Sequence, residues 1–187
     1  MNLFQDIDAP AIIVDLNIVK ENINTYQKYC DKIDIKLRPH IKTHKIPALA
    51  KLQIGAGAVG ITAQKISEAE AIISEGGIDD VLITYNIIGE QKLKALRNLC
   101  EKVKVSVVAD SSFCIKGLSK TFEGAKEALP VLVECDTGAN RCGVISPKEA
   151  CDLAEYIYRI ITGRASAGLW MGCYCRCCPL CKSWNKT

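Results

Sequence analysis

Basic side chains and two histidines are concentrated at residues 37–45, which have the sequence LRPHIKTHK. Lys42 lies within this segment, and His40 and His44 are the only histidines of the 187-residue chain. A lysine that is close to other cations and partly removed from water favours its neutral amine, the form that attacks an aldehyde to make a Schiff base. The segment therefore predicts a nucleophile at Lys42, although a solvated basic loop is the commoner outcome on composition alone.

The two histidines are four residues apart, which on a helix would place both rings on one face for a shared metal ion. Pro39 and the apolar run before it instead indicate a strand end followed by a loop. The sequence HIKTH also has no glutamate in the position that an H-E-x-x-H zinc motif requires. We therefore predict no metal site here and expect His40 to line a cofactor pocket.

A second polar segment, at residues 133–143, has the sequence VECDTGANRCG and also follows an apolar run. Arg141 in this segment could stabilise an anionic oxygen such as a phenolate or a carboxylate. Asp136 and Thr137 would lie on the same rim as Lys42 if both segments follow parallel strands. A turn held by an Asp136–Arg141 ion pair is the alternative, and the segment by itself does not distinguish the two.

Short β-branched runs alternate with amphipathic helical stretches, and the runs start about 22 to 28 residues apart, the spacing of βα units. Strands are predicted at residues 33–39, 59–63, 81–85, 103–109 and 131–135, with a sixth at 167–171 and an additional N-terminal strand at 11–15. Helices are predicted at residues 16–30, 47–54, 66–74, 90–100 and 147–158. In the third of these helices, Glu68 and Glu70 are placed opposite the apolar face.

Regular βα units without a strand-order signal leave two α/β architectures, a doubly wound sheet and a (β/α)8 barrel. A full barrel takes about 250 residues, so this chain would hold about five or six of the eight strands. The predicted division is an N-terminal strand and helix at 1–30, a partial barrel at 31–160 and an aberrant Cys-rich tail at 161–187.

The cysteines fall into two groups, because five of the 11 lie in the tail and the other six are scattered. Scattered cysteines are typical of small buried hydrophobes in a reducing compartment. In the tail, Cys178 and Cys181 have the C-x2-C spacing of a zinc ligand pair, but the preceding cysteines, at positions 173, 175 and 177, do not form a second such pair. A frameshifted or truncated gene is the competing explanation for the tail.

Composition and local patterns exclude several classes of function. The net charge of +3 comes from 24 basic and 21 acidic side chains that are mixed along the chain, so no basic patch predicts a nucleic-acid partner. No apolar run has the length of a membrane span, and the N-terminus has no signal peptide pattern, so we expect a cytoplasmic protein. The glycines at residues 55–60 match G-x-G-x-x-G but follow a helix and precede a strand, the reverse of a dinucleotide loop.

Together these segments resemble the D-threonine aldolases and D-serine dehydratases, a group of pyridoxal 5'-phosphate (PLP) enzymes related to alanine racemase. The matching segments are DAPAIIVDL at 8–16 with ENI at 21–23, RPHIKTHK at 38–45, GAVGI at 57–61 with EAE at 68–70, GIDDVL at 77–82 and DTGANRCG at 136–143. The lysine segment is the most specific of these. The resemblance extends over about residues 8–159 and covers under half of a family member.

The resemblance implies an incomplete (β/α)8 barrel like the N-terminal domain of alanine racemase, with a role for four residues. Lys42 would bind PLP and later move protons at the substrate Cα, Arg141 would lie near the PLP phenolate, and His40 and Gln64 would line the pocket. The implied activity is that of a PLP-dependent lyase on D-amino acids. An aldolase would cleave a D-3-hydroxy amino acid to glycine and an aldehyde, whereas a dehydratase would convert D-serine to pyruvate and ammonia.

The resemblance also implies features that this chain is expected not to carry by itself. For full-length relatives, the resemblance implies a homodimer and a divalent metal. The ligands of that metal lie in a C-terminal β-domain outside the matching segments. The later barrel strands, which in this fold hold the phosphate and the pyridine nitrogen, are expected to be missing, so we expect an inactive or poorly folded fragment. Alternatives are an amino-acid racemase, a non-catalytic PLP-binding barrel, or a nonfunctional fragment with a zinc-binding tail.

Overall fold

Five parallel strands form one sheet in the computed structural model, which describes residues 7–8, 10–162 and 169–173. The strands are β1 (Ile61–Ala63), β2 (Asp80–Ile83), β3 (Lys104–Ala109), β4 (Leu129–Val133) and β5 (Leu169–Cys173). Neighbouring strands are consecutive in the chain, in the order β1-β2-β3-β4-β5, and every pair is parallel. A doubly wound sheet reverses its strand order at a switch point, so the observed order confirms part of a barrel and excludes that alternative.

Six helices accompany the strands in the described part of the chain. They are α1 (Leu16–Lys32), α2 (Pro47–Gly55), α3 (Ile66–Ile73), α4 (Glu90–Cys100), α5 (Ser112–Thr121) and α6 (Pro147–Thr162). Each helix contacts the next one along the chain, as in the outer ring of a barrel. None of these helices combines the length and the apolarity that crossing a membrane would require.

Alternate side chains of the strands face the helices and form the core. Ile61, Val81, Val107 and Val131, for example, are fully buried among helix residues such as Leu96. Because successive strand residues point to opposite sides of a sheet, the other set faces the concave surface inside the incomplete barrel. This set includes polar residues, of which Thr62, Asp80 and Ser106 are examples.

The segment predicted as the first barrel strand, residues 33–39, has little strand structure. It begins with a turn at Asp34, whose φ is 52°, and then runs extended beside β1. Two backbone bonds join it to its neighbour, from Val59 N to Leu37 O at 2.9 Å and from Thr62 N to Pro39 O at 2.7 Å. Pro39 has no N–H to donate, and the only regular pairing is an isolated parallel bridge between His40 and Thr62.

Three other predictions about elements need correction. The extra strand at residues 11–15 does not form, and Ile12 there is 97% exposed. The last strand is β5 rather than residues 167–171, of which 167 and 168 lie outside the described residues. Helix α5 was not predicted, although Ser111 caps it by accepting from Cys114 N at 3.4 Å, and three of its apolar side chains are buried on one face.

Candidate functional site

The carboxyl ends of the parallel strands bring several polar segments to one rim of the sheet. His40 and the turn after it lie beside the end of β1, where Gln64 follows, while Thr84 follows β2. Asp110 follows β3, and the loop at residues 134–143 follows β4. In barrel enzymes this rim carries the reacting groups, so the sheet topology places all four sequence-predicted site residues on the expected side.

Lys42 lies in a short 3-10 helical turn, Ile41–Thr43, at this rim. Ile41 is fully buried and anchors the turn, and His40 Nδ1 accepts a hydrogen bond from Lys42 N at 3.2 Å. The side chain of Lys42 is exposed. This exposure does not agree with the expectation that the lysine is partly removed from water.

His40 connects the lysine turn to the neighbouring strands. Its Nδ1 is an acceptor, so the proton of the neutral ring is on Nε2, which donates to Thr84 Oγ1 at 3.4 Å. Burial lowers the pKa of His40, the charge of Lys42 lowers it further, and Glu68 opposes both. His40 is therefore neutral at physiological pH and presents a fixed N–H beside the lysine turn.

Glu68 was predicted on a polar helix face, but it is buried, with a side-chain exposure of 8%. Its Oε1 is 2.9 Å from Lys45 Nζ, and its Oε2 accepts from Gln64 N at 3.2 Å. Burial, the largest single influence, would raise the pKa of Glu68, but the hydrogen bonds from Lys45 and Gln64 together with the charges of Lys45 and Lys65 lower it. A charged carboxylate therefore lies behind the rim, and the helical pattern of the sequence did not predict its burial or its pairing with Lys45.

Gln64 and Lys42 each lie two residues beyond a member of the bridge between His40 and Thr62. The side chain of Gln64 is exposed, while its backbone N–H is held by Glu68. The structure thus brings three predicted residues together at two adjacent strand ends, namely His40, Lys42 and Gln64.

Arg141 lies farther along the rim, in a loop that folds back on the end of β4. Asp136 N donates to Val144 O and Val144 N donates to Glu134 O, each at 2.9 Å. The loop is also tied to the end of β3, because Gly143 N donates to Asp110 Oδ2 at 3.2 Å. The side chain of Arg141 is exposed, and no hydrogen bond or ion pair joins it to His40, Lys42 or Gln64 within the described residues.

The alternative interpretation of this loop, an Asp136–Arg141 ion pair, is not what holds it. Asp136 Oδ1 instead accepts backbone hydrogen bonds from Gly138 N and Ala139 N, both at 2.8 Å. The Gly138 N–H is the largest of the contributions that lower the pKa of Asp136. The loop is therefore shaped by its own backbone, and the guanidinium of Arg141 is left to face solvent at the rim.

The described residues gather no group of three His, Cys, Asp or Glu side chains that could hold a metal ion. His40 and His44 each use Nδ1 to accept a backbone N–H, from Lys42 and from Ile46. Burial lowers the pKa of His44, and the neighbouring side chain of Gln53 opposes this effect. Both rings therefore serve to fix the backbone of the lysine segment.

Cys30, Cys100, Cys114 and Cys142 are free thiols, and two of them are too basic to act as nucleophiles. Burial raises the pKa of Cys100 to about 12 and that of Cys114 to about 11. The expectation of small hydrophobic cysteines agrees with these two environments. The cysteines of the tail beyond residue 173, together with the predicted zinc pair, lie outside the described residues.

Comparison with known proteins places the chain among PLP enzymes. Residues 14–169 match the family of the alanine racemase N-terminal domain. D-threonine aldolase from Arthrobacter sp is 36% identical over 163 residues, which are 87% of this chain and 42% of that enzyme. The chain therefore spans less than half the length of this curated relative.

Solved structures show the same relationship for the fold. The crystal structure of D-threonine aldolase from Filomicrobium marinum matches with a TM-score of 0.80 and 36% identity, over 89% of this chain and 43% of that one. D-threo-3-hydroxyaspartate dehydratase from Delftia sp. HT23 matches with a TM-score of 0.77 and 28% identity, over 90% of this chain and 43% of that one. Aldolase and dehydratase thus share the barrel segment that this chain contains.

Proposed function

The chain belongs to the family of the alanine racemase N-terminal domain, and on this premise we propose that it is the lysine-bearing part of a PLP-dependent lyase that acts on D-amino acids. The observation that supports the proposal most directly is the position of Lys42. It lies at the carboxyl end of the first strand position, on the rim where barrel enzymes react, beside a neutral His40. Its relatives include a D-threonine aldolase and a D-threo-3-hydroxyaspartate dehydratase.

The residues on this part of the rim fit the aldehyde-reactive end of PLP. Lys42 offers a primary amine on an exposed side chain, carried by an anchored turn. PLP, when bound, supplies an electron sink that stabilises negative charge at the substrate Cα. We propose that Lys42 binds the cofactor covalently and afterwards moves the proton to or from that carbon.

The other proposed roles follow from charge and hydrogen-bonding capacity. Arg141 is a permanent cation that faces solvent on the same rim, and it would stabilise the anionic phenolate oxygen. His40 keeps a neutral ring whose Nε2–H is directed to Thr84, so it would hold the pocket wall without adding a second positive charge next to Lys42. Gln64, exposed after the end of β1, would supply an amide for the cofactor or the substrate.

The proposed substrate is a D-amino acid that carries a hydroxyl on Cβ. Cleavage of its Cα–Cβ bond would give glycine and an aldehyde, whereas loss of the hydroxyl would give a keto acid and ammonia. Both reactions would use the same cofactor and the same lysine, and the described rim does not favour one of them. We derive no step through a divalent metal, because the described residues offer no set of ligands for it.

The test is reductive trapping of PLP on the purified chain with borohydride, followed by peptide mapping. In the wild-type chain we expect the label on Lys42. In Lys42→Ala we expect no label at this position. Lys65→Ala is the matched control, because Lys65 is also exposed and follows the end of β1, but has no proposed role. A folded wild-type chain that carries no label on Lys42 would contradict the proposal. D-threonine and D-serine turnover assays then distinguish the aldolase from the dehydratase.

A further inference from the structure

The turn that carries Lys42 has an unusual backbone at its end. His44 N and Lys45 N both donate to Ile41 O, at 3.2 Å and 2.8 Å, which closes the turn. Lys45 has a φ of 53°, in the left-handed region. That region is unfavourable for a residue with a Cβ, and such a residue persists only when its surroundings hold it there. The structure must therefore contain an interaction that keeps Lys45 in this conformation.

The interaction is an ion pair with the buried carboxylate of Glu68. Lys45 Nζ lies 2.9 Å from Glu68 Oε1, and the side chain of Lys45 is itself half-exposed, at 55%. The second oxygen of Glu68 accepts the backbone N–H of Gln64, the residue that follows β1. One carboxylate in the first turn of α3 therefore connects the loop that carries Lys42 to the loop that carries Gln64.

The difference in burial between Glu68 and Lys45 determines which residue depends more on the ion pair. A buried carboxylate without a partner is strongly unfavourable, whereas an exposed lysine can be solvated by water. Glu68 therefore requires Lys45 more than Lys45 requires Glu68. Meeting that requirement keeps the side chain of Lys45 directed inward and its backbone left-handed, which in turn fixes the end of the Ile41–Thr43 turn.

We propose that Lys45 and Glu68 are positioning residues, whose ion pair holds the Lys42 amine over the strand ends. This positioning role depends on the proposed function of Lys42, but the effect of the ion pair on the turn can be measured without PLP. The sequence suggests no such role, because Lys45 belongs to the lysine segment and Glu68 to a helix 23 residues later. Neither residue touches the reacting atoms in this proposal.

The first measurement is amide hydrogen exchange of the full 187-residue chain. In Lys45→Met and in Glu68→Gln, we expect the amides of His44 and Lys45 to exchange at least about tenfold faster, with β3 amides unchanged. Lys45→Met should have the larger effect, because it leaves the carboxylate buried and unpaired. Lys45→Arg retains the cation and should restore slow exchange to within about twofold of wild type.

A glycine variant distinguishes the effect of the ion pair on the turn from the effect of the backbone strain. Lys45→Gly adopts a left-handed φ without strain but cannot pair with Glu68. If the ion pair holds the turn, this variant exchanges as fast as Lys45→Met. Slow exchange in Lys45→Gly, or unchanged exchange in both Lys45→Met and Glu68→Gln, would overturn the inference.

The second measurement is the rate at which borohydride traps PLP on Lys42 in the same variants. We expect a fall of about tenfold in Lys45→Met at unchanged circular dichroism, and recovery in Lys45→Arg. A loosened turn with unchanged trapping would overturn the positioning role and leave the proposed function standing. Absence of label on Lys42 in the wild-type chain, with exchange responding as expected, would instead reject the proposed function and support the hold on the turn.

Discussion

Lys42 and His40 show how two neighbouring residues in one motif acquire different environments. Lys42 is exposed, whereas His40 is partly buried and has its Nδ1 occupied by the backbone N–H of Lys42. Glu68 adds a negative charge behind them, paired with Lys45. The protonation of His40 therefore depends on burial first, on the lysine second and on the glutamate third.

This ordering gives a prediction for the titration of His40. We expect wild-type His40 to have a pKa below 6.5, the ordinary value for a histidine. Lys42→Met should raise that pKa without restoring it fully, because burial, the largest cause, remains. Glu68→Gln should lower it further, because the opposing negative charge is removed. The measurement is a pH titration of the imidazole proton resonances by NMR, with His44→Gln to assign the two signals.

Lys65→Met serves as the control for that titration. Lys65 is exposed, and its charge is not among the influences on His40. The His40 curve in this variant should overlay the wild-type curve. A His40 pKa at or above 6.5 in the wild type, or equal shifts in all the lysine variants, would show that the described environment of the ring is wrong.

At the scale of elements, a cluster of charged side chains holds the extended segment before His40 to the sheet. The cluster consists of Arg38, Asp80 and Lys104. Arg38 Nη1 donates to Asp80 Oδ1 at 2.8 Å and also lies 3.4 Å from the backbone oxygen of Asp80. Lys104, which is paired with Asp80 in the β2–β3 register, places its Nζ 3.4 Å from Asp80 Oδ2. This cluster joins the extended segment before His40 to β2 and β3. It acts where the backbone of that segment makes few hydrogen bonds to the sheet.

A double-mutant cycle tests whether Arg38 and Asp80 stabilise this junction. Their side chains are 24% and 20% exposed, so water screens them only in part. We expect the Arg38→Met and Asp80→Asn pair to show a coupling of about 1–2 kcal/mol in urea unfolding. The Lys104→Met and Asp80→Asn pair should couple by less than about 0.5 kcal/mol, because Lys104 is 69% exposed. Equal couplings would assign the stabilisation to net charge rather than to the Arg38 contact.

At the scale of the whole molecule, the N-terminal region carries apolar side chains that the described chain does not cover. Helix α1 buries only Gln27 and Cys30. Exposed fractions before and within the first turns of this helix are 97% for Ile12, 58% for Ile13, 46% for Val14, 54% for Leu16 and 56% for Ile18. An exposed apolar strip of this kind favours association.

We expect the chain to associate reversibly as its concentration rises, because this strip is removed from water on contact. The double variant Ile12→Ser and Ile18→Ser should shift the association to concentrations about tenfold higher. Ile145→Ser is the matched control, because Ile145 is 75% exposed but lies in the loop before α6, away from the strip. Sedimentation velocity over a concentration series measures the effect. A wild-type chain that stays monomeric throughout would contradict the expectation.

The sequence by itself predicted the kind of fold, which the structure confirms, and it singled out Lys42 as the candidate cofactor lysine. Apolar runs at a βα spacing predicted the parallel sheet, because buried strands need apolar side chains on both faces. The segment LRPHIKTHK singled out Lys42, because few combinations of residue types can form and use a Schiff base. These inferences depend on local composition and on the spacing of apolar runs along the chain. Neither property changes with the residues that lie nearby in the folded structure.

Tertiary structure alone decided which charges meet. Glu68 seemed a surface residue from its helical period, but the approach of the lysine segment to α3 buries it against Lys45. The same approach left Lys42 exposed and reduced the predicted strand at 33–39 to one bridge at His40. Such pairings join residues more than 20 positions apart, and their energies depend on distance and burial, which no local pattern in the sequence encodes.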